Sequence, residues 1–254
     1  MSPALAAWRR HPARWINVLR RLREGLPARG GAVSPEVAND LFQAHLAVYH
    51  FAARFASGRR VLDLGCGTGY GSAHLLASGA SSVLGLDADG PSLAYAQRRF
   101  AGPRLHFVRG RAELQGSLTE ARRFDLIVAA NLLAHLVAPA AALDAAQRVL
   151  ARQGTLLASV PPIADERVME QHRASGVHRA NLYLWDWESL LRPRFQELRL
   201  FRLLPPPGAS LDFADPRRSR HAAADFRCEE IPPSELASAG SLSVIFVGST
   251  PRPS

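Results

Sequence analysis

The sequence predicts an α/β protein in which a mostly parallel sheet carries helices on both faces. Three observations lead there. Apolar runs of strand length alternate strictly with helix-forming runs between Arg60 and Val160, and parallel neighbours need such crossovers. The first strand, Val61–Leu64, runs directly into glycines at alternate positions, Gly65, Gly67 and Gly69, and then into a helix. The second strand, Ser82–Leu86, ends in Asp87, about twenty residues past the glycines, where nucleotide-binding βαβ units place a ribose-binding carboxylate.

Leu5, Trp8, Trp15, Leu19 and Leu22 recur at helical steps among Arg9, Arg10, Arg14, Arg20, Arg21 and Arg23, so residues 1–30 read as an amphipathic helix interrupted near Pro12. Packing on a neighbouring surface is the preferred reading for it. Peripheral membrane or RNA contact through 1–26 is the alternative. After the linker Ala28–Gly31, Ser34 as N-cap and Pro35 in the first turn predict a second helix, running through Leu41, His45 and Tyr49 to Phe55.

Strands are then expected at 61–64, 82–86, 105–108, 124–130 and 155–160, with helices at 72–78, 91–100 and 140–150. Gly79 stops the first of these helices and Pro91 suits the first turn of the next. Residues 161–180 read as an irregular polar stretch containing His172 and His178. A helix at 186–192 with Asp186 as N-cap, a sixth strand at 195–203 and a last strand at 242–247 follow. Residues 205–240, rich in Pro, Ser, Ala and charge, read as a long loop insertion.

The totals fit one sizeable domain with additions: 254 residues, 47% of them hydrophobic. Lys and Arg number 31 against 22 Asp and Glu, for a formal charge of +9, and all the 31 are Arg. Arginines spread from Arg9 to Arg252 read better as a solvated surface than as a nucleic-acid footprint. Two cysteines, Cys66 and Cys228, make no disulfide framework. The N-terminus lacks the continuous apolar core of a signal peptide, and Asn131, His135 and Pro139 interrupt the longest apolar run, so a cytoplasmic protein is expected.

The stretch Val61-Leu-Asp-Leu-Gly-Cys-Gly-Thr-Gly-Tyr-Gly71 resembles the first motif of class I S-adenosylmethionine-dependent methyltransferases. The NAD fingerprint spaces its glycines G-x-G-x-x-G and lacks an acid in the place of Asp63. The resemblance extends from about Tyr49 to Val247. It implies a Rossmann-like, doubly wound, seven-stranded sheet with an antiparallel last strand, spanning 58–254, under an N-terminal helical cap of residues 1–57.

It also implies that S-adenosylmethionine lies against Gly65, Cys66, Gly67, Gly69 and Tyr70, with Asp63 near its amino group, Asp87 on the ribose and Ala88 beside the adenine. Tyr49 would face the sulfonium or simply fill the core. The family's Gly-Asp-Ala motif reads Gly110-Arg111-Ala112 here. Arginine accepts no hydrogen bond from adenine, so Ala112 N–H or Glu113 would have to serve. Where many relatives read Leu-Glu-His-Leu, this chain has Leu133-Ala134-His135-Leu136 after Asn131. His135, and with it His178, are the candidate bases, the alternative being structural histidines.

No metal ligand set is visible. The expected activity is methyl transfer to an oxygen or nitrogen of a small-molecule, sugar or glycan, or lipid-linked acceptor. An RNA methyltransferase and a non-catalytic S-adenosylmethionine-binding scaffold are the rivals.

Overall fold

The structure is a computed structural model that describes residues 33, 35–36, 38–113, 123–213, 215, 217–238 and 241–252. The amphipathic stretch 1–30 and the expected cap Ser34 lie outside these residues.

Eight strands form one sheet: β1 Arg60–Leu64, β2 Ser82–Asp87, β3 Leu105–Arg109, β4 Phe124–Ala129, β5 Leu150–Val160, β6 Phe195–Leu204, β7 Arg227–Ile231 and β8 Ser243–Pro251. Their order is β3-β2-β1-β4-β5-β8-β6-β7. β1 to β5 pair in parallel, and β8 lies antiparallel between β5 and β6. The strand order reverses between β1 and β4, which opens a crevice at their carboxyl ends.

The sheet has one strand more than expected. Part of the 205–240 insertion is the extra strand β7, which pairs antiparallel with β6 at the sheet edge. Its sequence, Arg-Cys-Glu-Glu-Ile, carries too much charge to stand out as a strand. That charge is used across the edge, where Arg202 pairs with Glu229 and Arg199 with Glu230.

Side chains alternate between two cores. Leu62 and Leu64 of β1, with Ile127 and Ala129 of β4, pack in one core, while Val61, Leu126 and Val128 pack in the other. Over the first core lie helices Pro139–Val149 and Leu184–Leu191, which buries Leu143, Leu184, Trp187 and Leu191. Over the second lie α1 Asp40–Ala52, α2 Tyr70–Ala77 and α3 Gly90–Phe100. In chain order the later helices are α4 Pro139–Val149, α5 Glu166–Ser175 and α6 Leu184–Leu191.

Three of the helix starts that differ from the sequence reading have a visible capping cause. α1 begins at Asp40, not at Pro35, because the Asn39 carboxamide accepts the Phe42 N–H at 3.0 Å; Pro35 and Glu36 form a turn. The polar stretch 161–180 contains α5, capped when Asp165 accepts the Val168 N–H at 2.8 Å. α5 buries only Met169 and Ser175, so its apolar stripe is too thin to read. α6 starts two residues early, and Asp186 caps from inside it by accepting the Tyr183 N–H at 2.9 Å.

Candidate active site

The site grows from the end of β1. Gly65, Gly67 and Gly69 all adopt left-handed backbone, with φ of 73°, 52° and 80°. A side chain at any of them would be strained, which explains the alternate spacing. The turn is tied to β2: Gly65 and Cys66 N–H donate to the Leu86 carbonyl, and Gly67 N–H donates to the Asp87 carboxylate at 2.7 Å. The other Asp87 oxygen accepts the Asp89 N–H at 2.8 Å. Asp87 is thus fixed at the rim with lone pairs to spare on both oxygens.

Asp63 is wholly buried behind the turn. Its oxygens accept from the Tyr49 hydroxyl at 3.0 Å and the Ser72 hydroxyl at 2.6 Å. Burial raises its pKa to about 7, against the lowering effect of those two donors, and the Asp87 charge adds to the rise. Tyr49 is buried as well, with its phenol held protonated by burial and by the Asp63 charge. Its ring covers Gly71 so closely that a Cβ there would lie 2.1 Å away. Tyr70 stacks edge-on against it at 5.7 Å. Cys66 is buried with its thiol pushed far up by burial, which suits packing and not nucleophilic chemistry.

Beyond the turn lies a cleft of about 290 Å³. Of the expected residues, Gly65, Asp87, Ala88, Arg111, Ala112 and His135 line it, joined by Glu113, Leu132, Leu136, Val137 and Arg179. Asp63, Tyr49, Cys66, Gly67, Gly69, Tyr70, Asn131 and His178 stand behind or beside that lining. Arg111 is largely exposed and pairs at 3.7 Å with Glu113, whose carboxylate is mostly sheltered. Asn131 takes left-handed backbone, φ 53°, at the end of β4, and Ser159 bridges its N–H and its side-chain carbonyl.

His135 follows on a short turn, and its Nδ1 lies 3.2 Å from the Val177 carbonyl. A carbonyl only accepts, so Nδ1 carries the proton and Nε2 keeps the lone pair. Burial lowers the His135 pKa, partly offset by that hydrogen bond. The His178 ring sits 4.4 Å from His135 and 4.4 Å from His172, almost parallel to the latter. Burial and its histidine neighbours depress the His178 pKa strongly. Among the described residues, no group of three or more His, Cys, Asp or Glu is disposed to hold a metal.

His178-Arg179 precedes a run that resembles the family's substrate-side loop, yet of the pair only His178 is expected at the site, and it is Arg179 that lines the cleft. The Arg179 and Ala180 N–H groups both bond the Ala134 carbonyl, at 2.8 and 3.0 Å, which carries a distant segment to the end of β4. No local spacing announces a contact of that range.

A doubly wound sheet of this order, with a G-x-G-x-G turn and a rim carboxylate on β2, defines a class I S-adenosylmethionine-dependent methyltransferase fold. Residues 61–154 match the methyltransferase domain family. A probable S-adenosylmethionine-dependent methyltransferase of Mycolicibacterium smegmatis is 37% identical over 143 residues, 55% of this chain and 53% of that protein. The chain thus spans about half the length of that curated relative. Shorter matches reach a phthiotriol/phenolphthiotriol dimycocerosates methyltransferase of Mycobacterium leprae, 36% identical over 32% of each chain. They also reach a tRNA U34 carboxymethyltransferase of Methylococcus capsulatus, 38% identical over 33% of this chain and 26% of that one. A Thermotoga maritima S-adenosylmethionine-dependent methyltransferase structure superposes with a TM-score of 0.57 over 94% of this chain and 93% of its own, at 18% identity.

Proposed function

We propose that this protein transfers a methyl group from S-adenosylmethionine to an oxygen or nitrogen of a small-molecule, glycan-type or lipid-linked acceptor. The observation that carries this reading is one cleft lined at one end by Gly65, Asp87, Ala112 and Glu113 and at the other by His135 and Arg179. The residues fit the cofactor. A Cβ on Gly65 would meet Leu132 at 2.7 Å, so the bare backbone keeps the floor open. Asp87 would accept from the ribose hydroxyls, and Glu113 would replace the acceptor that Arg111 cannot provide for the adenine amino group.

The cofactor, when bound, supplies an electrophilic methyl on a sulfonium. The chain's own residues align the acceptor, shed water and take a proton. His135 serves as the base: burial keeps it neutral, and the Val177 carbonyl fixes the tautomer that leaves Nε2 free. Leu132, Leu136 and the exposed Val137 give the acceptor end an apolar lip. That lip, with Arg111 and Arg179 as the cleft cations among the described residues, favours a small or lipid-linked acceptor over RNA, whose backbone needs a continuous basic track. Of the described residues before β1, Tyr49 bonds Asp63 and the Val33 carbonyl accepts from the Thr68 hydroxyl, so both stand against the glycine turn.

Calorimetric titration with S-adenosylmethionine and S-adenosylhomocysteine, with NAD as control, tests the reading. Binding of the first two alone is expected, with Asp87→Asn weaker by about 1–3 kcal/mol. Equal affinity in the variant removes the ribose assignment. Once an acceptor turns over, His135→Ala should lower kcat by about 10²-fold or more. Unchanged turnover at every pH makes His135 structural.

A further inference from the structure

A second cavity, of about 460 Å³, lies away from the cleft, where the carboxyl ends of α1 and α2 meet the edge strand β7. Phe51 and Phe226 form its apolar walls, and His50, Arg54, His74 and Cys228 line the rest. Its charge is one-sided. The exposed Arg54 guanidinium sits 5.3 Å from the Phe51 ring centre and has no ion pair among the described residues. Burial pushes the Cys228 thiol up to about 12, so it is neutral even beside Arg54. No carboxylate among the described residues lines the cavity. Asp225, next to Phe226 in sequence, is spent capping the Ala222 N–H at 2.7 Å.

His74 supplies the pointer to a ligand. Its Nε2 is buried with no hydrogen-bond partner among the described residues. Its ring stacks on His50 at 5.3 Å, and the nearby Ser78 hydroxyl already donates to the His74 carbonyl. A buried ring nitrogen without a partner is costly and rare, and it calls for a group to meet it. A neutral apolar guest would leave it unmet. An anionic oxygen would accept from Nε2–H and face Arg54 at once.

We propose that this cavity binds a small organic anion with an apolar body, a medium-chain or aromatic carboxylate, its charged end between Arg54 and His74 and its body between Phe51 and Phe226. The site is independent of methyl transfer and shares no residue with the cleft. Its ligand opposes both influences that keep His74 neutral, burial and the His50 ring, so it binds more tightly as pH falls toward 6.

The test is titration of the full chain with sodium decanoate and with decanol, followed by the histidine ring resonances. His74→Phe identifies the His74 signals, and S-adenosylhomocysteine affinity serves as the fold control. Saturable shifts of the His50 and His74 signals are expected, with His135 unmoved. Decanol should bind about tenfold or more weakly, as should decanoate to Arg54→Gln. Arg54 is exposed, so that variant keeps the test valid if His74→Phe folds poorly. Absence of a saturable His74 shift, equal binding of decanol, or unchanged affinity in Arg54→Gln overturns the proposal.

Discussion

Asp63 and His178 titrate against each other, and the opposition is open to measurement. Asp63 is an acid whose folded pKa, about 7, lies above its unfolded value. Between about pH 4 and 7 the folded state holds more protons at this residue, so its contribution to stability falls as pH rises. The limiting slope is about 1.4 kcal/mol per pH unit. His178 is a base whose folded pKa is depressed below the unfolded value of about 6.5. There the unfolded state holds more protons, so stability is lost as pH falls below about 6.5. The two slopes partly cancel in the intact protein. Urea unfolding at closely spaced pH values should therefore show Asp63→Asn gaining relative stability toward pH 7 and His178→Phe gaining toward pH 5. Parallel profiles for both variants and the parent would refute burial as the source of these shifts. Asp63 was legible as a residue of interest from its place before Gly65, but its engagement by Tyr49 and Ser72 was not, because those partners come from other turns of the fold.

At the level of elements, the α1–α2 contact decides how rigid the glycine turn is. α2 begins just after the last glycine of the turn, its N-cap Gly69, and Gly71 in its first turn lets the Tyr49 ring of α1 press against the helix backbone. Gly71→Ala is neutral or better for an isolated helix, by up to about 1 kcal/mol. Here the added methyl would lie 2.1 Å from an aromatic ring that is fixed at its hydroxyl by Asp63. Overpacking should win and destabilise the protein by about 1–3 kcal/mol, read as a lower urea midpoint at unchanged m. Weakened S-adenosylhomocysteine binding should accompany it. A midpoint equal to the parent's would mean that Tyr49 moves freely, and the turn would then lose its rigid backing. The alternating core of β1 to β5 was readable because the central strands β1, β4 and β5 bury both faces and few other patterns give such runs. β7 and α5 were not readable, since each is held by caps and cross-strand ion pairs more than by apolar periodicity.

Over the whole molecule the charge of +9 asks for an explanation that the cleft does not supply. Many described arginines are matched on the surface: Arg60 with Asp125, Arg192 with Glu188, Arg194 with Asp144, Arg199 with Glu230, and Arg202 with Glu229. Such exposed pairs add little stability, at most about 1 kcal/mol each, but they divide the charge into short dipoles that no polyanion can follow. The densest run of arginine in the sequence with no Asp or Glu between is Arg9, Arg10, Arg14, Arg20, Arg21 and Arg23, outside the described residues. Any attraction to RNA or to anionic lipid should therefore reside there. RNA affinity is expected to be weak at 0.15 M salt and to fall with log[salt] at a slope of only a few. A chain lacking residues 1–30 should lose what binding there is to RNA and to anionic vesicles. Tight RNA binding that survives this deletion would place the polyanion on the described surface, and the acceptor assignment would have to move to RNA.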